Sequence, residues 1–137
     1  MQHHPVAAHI AAAVAQRDPQ ELAPALTETV RLRALLPGGL IEAKGRTDVA
    51  ACLPAVFADF DTVEVLESAA EDVGDRLLIH YRFGVSQGTT RWVCTQTAVC
   101  TVVDGRLAVI NLLCSGFREV GHDDHVGTTP SGARLLG

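Results

Sequence analysis

The sequence predicts an α+β domain whose curved sheet wraps around helices, and three observations carry that reading. Helical periodicity is confined to the N-terminal half, strand-like runs fill the C-terminal half, and Asp104-Gly105 stands between the apolar-rich runs WVCTQTAVCTVV and LAVINLLCSGF. A two-residue Asp-Gly loop between such runs is the strongest short-range hairpin signal.

The elements follow in order. Pro5 opens a run with Val6, Ile10, Ala13 and Val14 at helical spacing, which stops near Arg17. Asp18-Pro19-Gln20-Glu21 reads as an N-cap, a first-turn proline and an acid that reaches back, starting a second helix through about Leu26. Thr29 to Leu36 is strand-like, Pro37-Gly38-Gly39 is a turn, and Leu40 to Ala43 returns briefly. Thr47 is positioned to cap a third helix with the stripe Val49, Leu53, Val56, Phe57 and Phe60, kinked at Pro54. Thr62 to Leu66, Leu77 to Val85 and the two hairpin runs complete four strands, with turns at Gly74-Asp75 and Gln87-Gly88. The expected sheet is antiparallel. A chain of 137 residues suits one domain, read as residues 1–120, with a loose tail at 121–137.

Hairpin register assigns the faces. With Val103 opposite Arg106 and no irregularity, one face carries Trp92, Cys94, Gln96, Ala98, Cys100 and Val102 against Leu107, Val109, Asn111, Leu113, Ser115 and Phe117. The other carries Val93, Thr95, Thr97 and Val99 against Ile110, Leu112 and Cys114. Through the Gln87-Gly88 turn, Leu77, Ile79, Tyr81 and Phe83 join the first face, and His80 joins the second.

Composition excludes several function classes. A net charge of −5 with scattered basic residues disfavours nucleic acid. No apolar run reaches the ~20 residues of a membrane helix, and Met1-Gln2-His3-His4-Pro5 does not resemble a signal peptide. A cytoplasmic protein is expected. Cys52, Cys94, Cys100 and Cys114 show no CxxC spacing and read as reduced core thiols, with Cys114 facing away from Cys94. His122-Asp123-Asp124-His125 has metal-ligand residue types, but a loose tail does not fix ligand geometry, so no metal site is assigned.

The element order, the length, Gly45-Arg46 leading into the third helix and Asp104-Gly105-Arg106 between the last strands resemble the nuclear transport factor two-like superfamily. Within it, the chain is most similar to the SnoaL-like polyketide cyclase and ketosteroid isomerase branch, over residues 5 to 120. The resemblance implies a cystatin-like α+β barrel: a cone-shaped sheet around three helices, a pocket on its concave face and dimerisation through the other face. It implies no cofactor.

On that basis the face with Trp92, Leu113 and Phe117 becomes the pocket side. Its few polar groups among apolar ones suit a small-molecule site. Tyr81, Gln96 and Asn111 are the candidate catalytic residues, converging on a ligand oxygen. Trp92, Cys94, Leu113, Ser115 and Phe117 are the candidate substrate-binding residues. The expected partners are a small hydrophobic molecule and a second copy joined through Val93, Thr95, Val99, Ile110 and Leu112. Ketosteroid-isomerase-like sites use a carboxylate on the first strand, where this chain has Arg31 and Arg33, and no acid stands near Cys114-Ser115-Gly116. Glu42 and Glu64 are the carboxylates nearest the expected rim. Three readings stay open: a cofactor-free enzyme acting on an apolar oxygenated metabolite (isomerisation, cyclisation, dehydration or epoxide opening), a non-catalytic module that binds a hydrophobic ligand, and an interaction protein whose dimer face is its purpose.

Overall fold

The computed structural model describes residues 5–122. Helix α1 (Pro5–Ala15) and a single-turn α2 (Pro19–Leu22) form a hairpin. The Asp18 carboxylate caps α2, accepting the N–H groups of Gln20 at 3.1 Å and Glu21 at 3.3 Å. Pro24 then tightens the chain into a 3₁₀ turn over Ala23–Ala25, so α2 is shorter than its sequence pattern suggests. The first strand accordingly begins earlier, at Leu26.

Strands β1 (Leu26–Leu36) and β2 (Gly39–Lys44) precede α3 (Arg46–Ala55), and β3 (Thr62–Val73), β4 (Arg76–Gln87), β5 (Thr90–Val103) and β6 (Arg106–His122) follow it. Gly45, with φ 89°, occupies the N-cap of α3 in place of the expected Thr47, and Pro54 falls in the last turn, ending the helix rather than kinking it. The sheet order is β2-β1-β6-β5-β4-β3. It is curved and unclosed. It is also mixed rather than antiparallel throughout, because β1 returns beside β6 in parallel. Long-range closure of this kind leaves no local sequence signal.

The helices lie in the concave face. Ala7, Ile10, Ala11 and Val14 of α1 and Val49, Ala50 and Leu53 of α3 meet the inward rows of the sheet, such as Leu32, Ile79 and Phe83. Arg17, in the left-handed region at φ 55°, turns its guanidinium back to donate to the carbonyls of Phe57 at 3.1 Å and Phe60 at 2.6 Å. That ties the end of α1 to the chain leaving α3. Asp61 accepts the Gly88 N–H at 2.7 Å and pins the β4–β5 turn to the same end. No helix among the described residues is long and apolar enough to cross a membrane. The proposed tail lies outside the described residues apart from its first two positions, which end β6.

Three β-bulges on β6 reshape the hairpin faces. Val103 opposes Arg106 and Val102 opposes Leu107, but Thr101 opposes Val109, leaving Ala108 extra. From that point to the next bulge the side chains of β6 are inverted relative to a regular ladder. Ile110, Leu112 and Cys114 therefore point into the core, and Asn111, Leu113 and Ser115 point outward. The second bulge sets Ser115 and Gly116 against Thr95, which returns Phe117 to the inner face opposite Cys94. The third leaves Val120 extra. Gly116 takes φ 85°, and Ser115 Oγ accepts the Thr95 N–H at 2.9 Å, satisfying a donor that the bulge strands.

Candidate functional site

Period-two alternation on β4 and β5 brings Tyr81, Phe83, Cys94, Gln96, Ala98 and Cys100 onto the inner face, all buried. Tyr81 and Gln96 are directly opposed, and the phenol donates to Gln96 Oε1 at 2.6 Å. Gln96 stands opposite Cys114 across β5 and β6, and Cys94 Sγ lies 3.5 Å from Cys114 Sγ. A chain of four polar groups thus crosses an otherwise apolar cone. The phenol is paired with the amide and the two thiols with each other, which keeps the cost of burying them low.

Burial, with the neighbouring thiols, pushes the Tyr81 phenol far above its ordinary value. Hydrogen bonding from Cys94, helped by Gln96 and the Gly116 backbone, lowers the Cys114 thiol to about 6. Its hydrogen bond to Cys114 and burial together hold Cys94 protonated. Burial pushes Cys100 up to about 12. All four cysteines are free thiols.

Beside Tyr81 lies an apolar void of about 10 Å³, walled by Ile10 of α1, Leu22 of α2, Leu53 of α3 and Ile79, Ala98 and Ile110 of the sheet. Such a space holds about one water molecule. At the other end of the cone Phe57, Phe60, Trp92 and Phe117 pack in edge and tilted pairs, with centroids 4.8 Å apart for Phe60 and Phe117 and 5.6 Å for Phe60 and Trp92.

The sequence-derived site is therefore split. Tyr81, Gln96, Trp92, Cys94 and Phe117 are on the inner face, Trp92 and Phe117 at the aromatic end. Asn111, Leu113 and Ser115 are on the outer face, so Asn111 does not converge with Tyr81 and Gln96; the extra Ala108 is the cause. Ser115 serves the backbone of the bulge. The same inversion removes Ile110 and Leu112 from the expected dimer face and brings Cys114, missed by the regular register, into the polar chain. The glycine of Ser115-Gly116 is a sequence feature compatible with a bulge, but nothing local marks Ala108.

The outer face carries His80, with its Nδ1 3.3 Å from Thr97 Oγ1 and its Nε2 3.4 Å from Glu67. Glu42 pairs with Arg33 at 3.1 Å in the open, and Glu64 is exposed. Neither reaches the cone. Gln96 is the one buried side chain of polar or charged type besides the Tyr81 phenol among the described residues. No group of three or more His, Cys, Asp and Glu side chains is placed among them to hold a metal ion. The metal-type motif at positions 122–125 falls outside the described side chains.

The model of the SnoaL-like domain family matches residues 6–110. Among curated proteins, none matches the sequence. A hypothetical protein with a ketosteroid isomerase-like fold from Catenulispora acidiphila, solved in complex with trimethylamine, is similar at TM-score 0.65 and 15% identity, over 81% of this chain and 85% of that one. A putative polyketide cyclase from Xanthomonas campestris is similar at TM-score 0.60 and 17% identity, over 80% and 87% of the two chains. An uncharacterised protein with a cystatin-like fold from Silicibacter pomeroyi gives TM-score 0.58 and 19% identity, over 81% and 74%. At these identities the likeness is one of fold.

Proposed function

This chain belongs to the SnoaL-like domain family, and from that premise we propose that its cone takes up a small, apolar, oxygen-bearing molecule and does so without acid–base catalysis. The observation that carries this reading is the polarity of the cone. One buried phenol–amide pair and the Cys94 and Cys114 thiols stand in apolar surroundings, and among the described residues no carboxylate or imidazole is buried with them. A general base must reach the proton it removes, and neutral Tyr81 and Gln96 are hydrogen-bonding groups that orient a ligand rather than titrate. Tyr81 lines the void, so its hydroxyl is the group a ligand oxygen would engage.

Space for the ligand comes from the cover. Ile10 and Leu22 close the void from the α1–α2 hairpin, whose second helix is a single turn between Pro19 and the Pro24 turn. Lifting that short cover enlarges the void without breaking the sheet. Thermal unfolding with a library of small oxygenated hydrophobes tests the reading. A ligand that raises the melting temperature of the wild type, less so for Tyr81→Phe and not for the void-filling Ala98→Leu, supports it; equal shifts in all three proteins refute it.

A second reading concerns the outer sheet face. Leu40, Leu35 and Leu113 follow one another across β2, β1 and β6, exposed by 51%, 51% and 56%, with Val99 and Asn111 in the adjacent row. An exposed apolar row on a sheet face favours self-association of two copies through this face.

A further inference from the structure

We propose that Cys94 and Cys114 form a reversible dithiol–disulfide pair, closed on the inner sheet face by a small peroxide. Their sulfurs lie 3.5 Å apart on adjacent strands, and a disulfide requires about 2.05 Å. The remaining approach of roughly 1.5 Å is within reach of small side-chain rotations of both residues. The bulge at Ser115-Gly116 creates the juxtaposition: Cys114 opposes Gln96 and Phe117 opposes Cys94, so the two thiols meet diagonally across the irregular step. No other pair is arranged this way. Cys100 lies on the same strand as Cys94, about 20 Å away at strand spacing, and Cys52 is on α3.

Chemistry divides the roles. Cys114 is the thiol whose ionised form is stabilised, by hydrogen bonds from Cys94, Gln96 and the Gly116 backbone, while Cys94 keeps its proton. Cys114 and Cys94 are 6% and 0% exposed, a degree of burial that a small oxidant overcomes more readily than a peptide disulfide. The Cys114 thiolate attacks one oxygen of hydrogen peroxide and the O–O bond breaks. That gives a sulfenic acid and a hydroxide, which takes up a proton as water. The Cys94 sulfur then attacks the sulfenyl sulfur. The S–O bond breaks, and the departing hydroxide leaves with the Cys94 proton as a second water. Two thiols are oxidised by two electrons and one peroxide is reduced. A dithiol reductant reverses the bond by exchange. The bridge staples β5 to β6 at Cys114, which stands opposite Gln96, the partner of Tyr81.

The test is mass spectrometry of the reduced full chain before and after hydrogen peroxide. Oxidation should remove two hydrogen masses per chain and leave half of the cysteines open to alkylation after denaturation. Trypsin should then release Trp92–Arg106 joined to Leu107–Arg118. Cys100→Ala should give the same link, which assigns it to Cys94. The bridge should raise the melting temperature, and dithiothreitol should return it. Cys94→Ala should yield Cys114 sulfenic acid that dimedone traps. If the wild type and Cys100→Ala both retain every thiol, progress directly to sulfinic acid, or link only between chains, the proposal is overturned.

Discussion

Tyr81 and Gln96 face one another across β4 and β5 and share a fully buried hydrogen bond of 2.6 Å between phenol and amide oxygen. Neither has water to fall back on. Tyr81→Phe leaves Gln96 Oε1 buried without its donor and should cost about 1–3 kcal/mol, and Gln96→Leu, which orphans the phenol, should cost a similar amount. The double variant should lose less than the sum, with a coupling of roughly 0.5–3 kcal/mol. Urea unfolding of the four proteins measures this. Strict additivity would mean the two groups do not depend on each other.

Alkali should report the same burial. Tyr81 is the one tyrosine of the chain, so tyrosinate absorbance is its private signal. Burial raises its folded pKa above the ordinary value of about 10. A group raised in the folded state contributes stability that is complete below its unfolded pKa and is lost as pH rises past it. Tyrosinate should therefore appear together with unfolding, and the advantage of the wild type over Tyr81→Phe should shrink above about pH 10. A reversible titration near the ordinary value, with circular dichroism unchanged, would show that the phenol reaches solvent.

Adjacent leucines of β6 should behave oppositely. Leu113→Asp places a charge on an exposed face, so the fold should persist while any dimer becomes a monomer in light scattering. Leu112 is 6% exposed and points into the cone. Leu112→Asp should lose the native circular dichroism, because burying an unpaired carboxylate costs several kcal/mol. An unaltered dimer in Leu113→Asp would move the interface elsewhere.

Gly116→Ala examines the second bulge. A Cβ there would stand 2.9 Å from Pro37 Cγ on a backbone at φ 85°. Strain and contact together should destabilise by about 1–3 kcal/mol in urea unfolding. Neutrality would indicate that the bulge relaxes.

Local chemistry settled a large part of this protein in advance. Asp18 caps because a short carboxylate precedes Pro19, the Asp104-Gly105 turn sets Val103 opposite Arg106, and alternation along β4 and β5 puts Tyr81 and Gln96 on one face. These depend on a few neighbouring residues and on the period of a strand, which any stretch of sequence displays. The family resemblance rested on the same order of elements.

Tertiary structure alone decided which side of β6 faces the cone. Alternation carries register forward until a residue is inserted, and one insertion at Ala108 exchanges Asn111 and Leu113 for Ile110 and Leu112. The location of such an insertion follows from bending the long strands around the helices and from remote packing, Pro37 on Gly116 and Phe57 and Phe60 against Phe117. Those contacts join residues far apart in the chain, so no local pattern encodes them. The parallel return of β1 beside β6, the closeness of Cys94 to Cys114 and the near-filling of the cone have the same origin: each is a property of the assembled sheet, and the strands acquire it only when they curve together.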